Sequence, residues 1–243
     1  QAERVFAPWP DMEAKLREHK MPLYGLETKT GLKDFDIIGF TLQYELGYTN
    51  LLNMLDLSGL SLHADERSNF PLIIAGGPGA LNPEPLAEFI DAFVLGEGEE
   101  IVLEIAETVA AAKKEGWDKD RTLISLAAIP GMYVPRLFAP AYDARGNYTG
   151  VEPLGSFPAP KKRIVSEFSD YPLPKKLVVP LVQPVHDRVS IEICRGCARG
   201  CRFCQAGMLY RPVRERPMAK LAEGGRILLQ NTGSSEISLS SLS

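Results

Sequence analysis

All four cysteines of this 243-residue chain fall between Cys194 and Cys204. A disulfide framework would spread its cysteines, because a cross-link restrains more chain entropy when it closes a longer loop. The fold therefore has to rest on a hydrophobic core. An apolar fraction of 45% beside 24% charged residues is ordinary for one, and the length suits one large or two ordinary domains. Clustered thiols in a chain without a secretion signal read as metal ligands. Gln1-Ala2-Glu3-Arg4-Val5 opens without the apolar stretch of a signal peptide. No apolar run approaches the roughly 20 residues that span a bilayer. The expectation is a soluble, cytoplasmic protein with no membrane contact. A net charge of −4 offers no sign of a nucleic-acid surface. The chain begins without Met, and a strand-like alternation over residues 236–240 ends it abruptly, so both ends are expected to be cut.

Short apolar runs alternate with helical patterns in the first part. Residues 36–42 read as a buried strand, apolar on both faces, and 71–75 and 92–95 as two more. Residues 50–57 and 99–114 carry helical spacing, and Pro85 opens a short helix where a missing N–H costs nothing. Strands interleaved with helices mean a parallel sheet covered on both faces. Ligands in such sheets bind beyond the carboxyl ends of the strands. Gly76-Gly77 and Gly96-Glu97-Gly98 fall at such ends, where they either admit a ligand close to the backbone or simply make tight turns. Farther on, Met132-Tyr133-Val134 and Tyr148-Thr149-Gly150-Val151 flank a turn-like loop at 143–147 and suggest a β-hairpin. Seven prolines between Pro153 and Pro184 exclude helix and central strand there. That stretch reads as a connector, with Lys161-Lys162-Arg163 and Lys175-Lys176 as solvated charge.

Residues 189–193 alternate as a strand, and the cysteines follow. A zinc ribbon needs its two pairs about 15–20 residues apart, and only three residues separate Cys197 from Cys201. A bacterial ferredoxin run is C-x₂-C-x₂-C-x₃-C, whereas the order here is x₂, x₃, x₂. A thioredoxin-type C-x-x-C opens a helix, but here two copies crowd one loop. The remaining reading takes Cys197, Cys201 and Cys204 as C-x₃-C-x₂-C after the first strand of a βα barrel.

In that spacing, and in the stretch from Arg195 to Gly207 continuing through Tyr210-Arg211-Pro212-Val213-Arg214, the sequence resembles the radical S-adenosylmethionine superfamily. It looks like an uncharacterised subfamily with a cobalamin-binding-type domain before its radical domain; residues 2–10 and 36–45 share that likeness. The resemblance implies that Cys197, Cys201 and Cys204 hold a [4Fe–4S] cluster whose fourth iron chelates S-adenosylmethionine. It further implies reductive cleavage to a 5′-deoxyadenosyl radical, the cofactors supplying the hard step and the protein position and dryness. Phe203 is then expected near the adenine, Gly200 where the loop curls around the cluster, and Ser240 and Ser241 at the cofactor's amino group. Cys194, where a non-cysteine is usual, is expected to be a small buried packing residue.

For the N-terminal domain the resemblance implies that Thr41, Gly76 and Gly77 line the nucleotide tail of a cobalamin. None of His19, His63 and His186 has the Asp-x-His-x-x-Gly spacing of a lower axial ligand, so either cobalamin binds without one or the domain is a vestigial Rossmann-like scaffold with no cofactor. The fold class is α/β: a Rossmann-like parallel-sheet domain, incomplete at its N-terminus, followed by the start of a TIM-type βα barrel. Expected domains are 1–128, a connector over 129–184, and 185–243. The function implied is a radical enzyme, inactive as this piece alone, acting on an unread small or macromolecular substrate. Cobalamin-dependent methyl transfer is one version, and an external donor such as flavodoxin or ferredoxin would supply electrons. The rival is a non-catalytic metal or electron-carrier module using all four cysteines.

Overall fold

The computed structural model describes residues 1–182 and 185–241. Pro184, the expected end of the connector, and Ser243, the end of the last domain, lie outside the described residues. The chain divides into two compact units, Gln1–Ile164 and Val165–Ser243.

The first unit runs through α1 (Pro10–Glu18), β1 (Ile37–Thr41), α2 (Tyr48–Leu57), β2 (Leu72–Gly76), β3 (Ala92–Val94), α3 (Ile101–Glu115), α4 (Lys119–Ala127), β4 (Met132–Tyr133), β5 (Phe138–Tyr142) and β6 (Tyr148–Pro153). One sheet has the order β1-β2-β3-β4. Its first three strands are parallel and β4 returns antiparallel beside β3, so the Rossmann-like parallel sheet carries one antiparallel edge. Alternation along β2 sets the layers. Leu72 and Ile74 face a core made with Ile101, Ile105 and Val109 of α3 and Leu123 and Leu126 of α4. Ile73 and Ala75 face a second core with Leu16 of α1 and Leu51 and Leu55 of α2. A strand covered on both faces has to be apolar throughout, which is why β2 reads as a continuous hydrophobic run.

Several expectations need correction. β1 is an edge strand in which only Ile38 is buried; composition does not separate an edge from a centre when both are β-branched. The helix expected at Pro85 is a single 3-10 turn, Glu84–Leu86. Two helices stand where none was read. α1 has Pro10 at its start, acids in its first turn and Lys15 and Arg17 in its last, which complements the helix dipole. α4 is capped by Asp118, whose carboxylate accepts the Arg121 N–H at 2.8 Å. The hairpin loop at 143–147 stands, with Asp143 accepting the amides of Arg145 and Asn147 at 2.8 Å each. Its first arm is β5 rather than 132–134. Tyr133 instead pairs with Phe93 on β3.

A buried charge cluster ties the loop before β2 to the sheet. Asp91 accepts the Ile73 N–H at 2.8 Å and pairs with Arg67 at 3.2 Å and Lys119 at 2.8 Å. Arg67 also donates to the carbonyls of Ser61, Leu62 and Phe89, so its buried donors are largely occupied.

The second unit contains β7 (Val189–Arg195), α5 (Ala206–Leu209), β8 (Arg214–Glu215), α6 (Met218–Thr232) and β9 (Ile237–Ser241). The sheet order is β8-β7-β9, with β7 parallel to β9 and antiparallel to β8. β7-α6-β9 is a βαβ unit, the element with which a βα barrel begins. Gly224 and Gly225 weaken α6 as an isolated helix but let it pack closely. A Cβ on Gly225 would stand 3.0 Å from Ile237 Cδ1 and 3.3 Å from Ile191 Cδ1, and one on Gly224 2.5 Å from Leu173 Cδ1. No helix of the described residues is long and apolar enough to cross a membrane.

Candidate functional site

The cysteine loop leaves β7 at its carboxyl end. Gly196 makes the turn at φ +91, and a Cβ there would lie 2.7 Å from the Tyr210 carbonyl oxygen and 2.6 Å from that of Pro212. Only glycine fits so close to backbone at that angle. The base of the loop is therefore closed by the segment that follows it. Gly207, at the start of α5, lies beside Cys197: a Cβ on it would make an ordinary contact with the Cys197 carbonyl oxygen at 3.5 Å. Cys204 N–H donates to the Cys201 carbonyl at 3.1 Å, so a local turn joins the last two cysteines. Gly200 adopts φ +67 with nothing within 4 Å of its Cβ position. Cys201 is exposed, and Cys197 and Cys204 are half-buried. An open recess of about 560 Å³ is lined by Cys197, Ala198, Arg211, Pro212 and Val213.

The donor set suits an iron–sulfur cluster: three thiols on one loop, with glycines where the chain reverses. Among the described residues, however, no group of three or more His, Cys, Asp and Glu is close enough together to hold a metal ion. The loop thus carries the thiols without gathering them. Phe203 is 92% exposed, its ring held by no neighbouring core. Ser240 and Ser241 end β9, in register with Glu192 and Cys194 of β7, so they share the sheet end from which the loop departs. Cys194 belongs to the β7 ladder, opposite Glu215 of β8, and is half-buried rather than buried.

Beneath the loop lies a group that the sequence reading did not find. Phe168, 1% exposed, has the guanidinium carbons of Arg216, Arg195 and Arg214 at 4.2, 4.7 and 5.6 Å from its ring centroid. Arg214 donates to the Val165 carbonyl and Arg216 to that of Tyr171, while Arg195 pairs with Glu192 at 2.7 Å. Cation–π contacts contribute about 0.5–2 kcal/mol each, so this ring anchors both strands flanking the cysteines. The sequence signal was no more than Phe168 itself, one of three aromatic residues in a proline-rich stretch.

In the first unit, Thr41 ends β1 in register with Gly76. A Cβ on Gly76 would make one ordinary contact, at 3.6 Å to Val94. Gly77, at φ +94, is different: a Cβ there would stand 2.8 Å from the Leu42 carbonyl oxygen. Gly96, at φ +108, has the Arg163 carbonyl oxygen 2.1 Å from its Cβ position. Arg163 N–H donates to Leu95 and its carbonyl accepts from Glu97. Its side chain pairs with Glu100 at 2.9 Å and Glu104 at 2.6 Å, which corrects its reading as solvated charge: the first turn of α3 captures it. At both glycine turns the space next to the backbone is taken by the chain itself. Positive φ together with these close backbone contacts accounts for glycine at Gly77 and Gly96 as tight turns. Gly39 and Gly98 have nothing within 4 Å of their Cβ positions.

Residues 1–135 match the family model described as "Radical SAM proteins, N-terminal". An uncharacterized protein of Methanocaldococcus jannaschii, MJ0966, is 28% identical over 222 residues, covering 86% of this chain and 38% of that protein. A solved structure described as the radical S-adenosylmethionine methyltransferase TsrM from Kitasatospora setae, with cobalamin and a [4Fe-4S] cluster bound, aligns with a TM-score of 0.50. Identity there is 17%, over 96% of this chain and 40% of that one; the likeness is one of fold. The chain thus spans 38% and 40% of the lengths of these two proteins.

Proposed function

The chain belongs to the radical SAM proteins through the N-terminal domain that its residues 1–135 match, and on that premise we propose that Cys197, Cys201 and Cys204 hold a [4Fe–4S] cluster open at one iron to S-adenosylmethionine. The supporting observation is the loop itself: three thiols follow the carboxyl end of β7, at the head of a parallel βαβ unit, on a turn that only glycine permits at Gly196. Such a cluster supplies the electron that cleaves the sulfonium bond and starts radical chemistry.

The chain's own residues then have distinct tasks. The three thiolates fix the cluster at the mouth of the sheet. Gly200 reverses the loop between the first two of them. Phe203, exposed beside Cys204, offers its face to the adenine, and Ser240 and Ser241 offer hydroxyls to the amino group from the end of β9. Cys194 stays in the β7 ladder, paired in register with β8 and β9, which supports three ligands over four. An external one-electron donor of the flavodoxin or ferredoxin kind completes the system. Cobalamin is assigned no step; Thr41 and Gly76, in register at the carboxyl ends of β1 and β2, and Gly98 beyond β3 are the positions there with open or ordinary surroundings that could line it.

Iron and sulfide counting after anaerobic reconstitution tests the ligand set. Cys197→Ala, Cys201→Ala and Cys204→Ala are each expected to lose the cluster, and Cys194→Ala to keep it. Loss in Cys194→Ala would sink the three-ligand assignment.

A further inference from the structure

Because β4 runs antiparallel to β3, with Phe93 opposite Tyr133 and Val94 opposite Met132, the end of β4 lies beside the start of β3. A cavity of about 930 Å³ opens there, in the size range of small-molecule sites. It stands at the amino end of β3, whereas Gly77 and Gly96 follow the carboxyl ends of β2 and β3. Its walls come from the 3-10 turn Glu84–Leu86, the β5–β6 hairpin and the first turn of α4.

The polar groups in these walls are not equivalent. Lys119 is paired with Asp91 and Arg136 with Asp120, each at 2.8 Å. Glu84 has a different partner: its carboxylate accepts the hydroxyl of Tyr133, which is 2% exposed. Burial, and then the hydrogen bond to Glu84, push the Tyr133 hydroxyl far above the ordinary tyrosine range, so it stays a neutral donor to that carboxylate. Across the hairpin, Tyr142 and Tyr148 are a cross-strand pair whose rings meet edge to face at 6.0 Å. The rings are 61% and 53% exposed, an arrangement that no core contact requires. Tyr148 lies near enough to Glu84 for that charge, after burial, to raise its hydroxyl as well.

We infer that this cavity is a binding site for a small organic cation, a protonated amine or guanidinium held by the Glu84 carboxylate against the faces of Tyr142 and Tyr148. A fixed carboxylate gives such a cation a charge-assisted hydrogen bond, and aromatic faces attract it through their quadrupole. Asp65 and Glu88, also in the walls, add to the negative field. The site is independent of the cysteine loop and stands or falls without it.

The test is a titration of the whole chain with methylguanidinium chloride, followed by NMR of the tyrosine ring resonances at an ionic strength held constant with sodium chloride. Wild type is expected to show saturable shifts at Tyr142 and Tyr148. Glu84→Gln should weaken binding about tenfold or more, since it removes the charge and keeps the shape. Tyr148→Phe keeps the ring and should bind as wild type does, whereas Tyr148→Ala should bind several-fold more weakly. Absence of saturable shifts in wild type overturns the inference, as does wild-type affinity in Glu84→Gln. Tyr148 stands on an exposed hairpin, so Tyr148→Ala decides the matter if Glu84→Gln fails to fold: unchanged affinity there also overturns it.

Discussion

Gly77 and Gly98 follow neighbouring strands of one sheet, yet they answer to different constraints. Gly77 combines φ +94 with ψ −179, a region that only glycine occupies readily, and Leu42 backbone fills its Cβ position. Gly98 has open space. Gly77→Ala is therefore expected to cost about 1–3 kcal/mol, while Gly98→Ala should stay within about 0.5 kcal/mol of wild type. Urea unfolding of both variants checks this, and equal midpoints would show that the turn tolerates a side chain. A branched side chain at Gly77, as in Gly77→Val, would strain the turn whether or not anything binds beside it.

Elements were legible in the sequence where one period dominates. β2 and α3 were readable because a strand buried on both faces has to be continuously apolar, and because a long helix repeats its apolar stripe. The positions of the three cysteines were readable for the same kind of local reason, since spacing along the chain is itself the signal. What stayed hidden depends on distant partners. Nothing near Phe168 announces three arginines from β7, β8 and the residue after it, and nothing near Arg163 announces the acids of α3. The Asp91 cluster is of this kind too: Arg67, Asp91 and Lys119 are far apart in sequence but join the loop before β2 to β3 and α4. Asp91→Ala would leave two buried or nearly buried cations uncompensated and remove the acceptor of the Ile73 amide. It is expected to destabilise the first unit by about 3–5 kcal/mol. Thermal unfolding followed by circular dichroism measures it, and a melting temperature equal to that of wild type would mean that the cluster is solvated.

At the scale of the whole molecule, the charge is unevenly placed. The chain carries −4 overall, yet between Glu192 and Glu215 it holds five arginines, Arg195, Arg199, Arg202, Arg211 and Arg214, and no acid. A locally positive segment offsets the negative charge of a loop proposed to hold three thiolates together. The first unit contributes a two-faced sheet whose glycine turns are closed by its own chain, so the redox chemistry proposed here belongs to the second. The central claim is an iron that no cysteine holds, and one measurement reaches it directly: the EPR spectrum of the reduced, reconstituted chain before and after addition of S-adenosylmethionine. The account predicts a change in g values as the amino and carboxylate groups of the cofactor reach that iron. A spectrum that stays the same, at full iron content, would mean a cluster closed by four protein ligands and would contradict it.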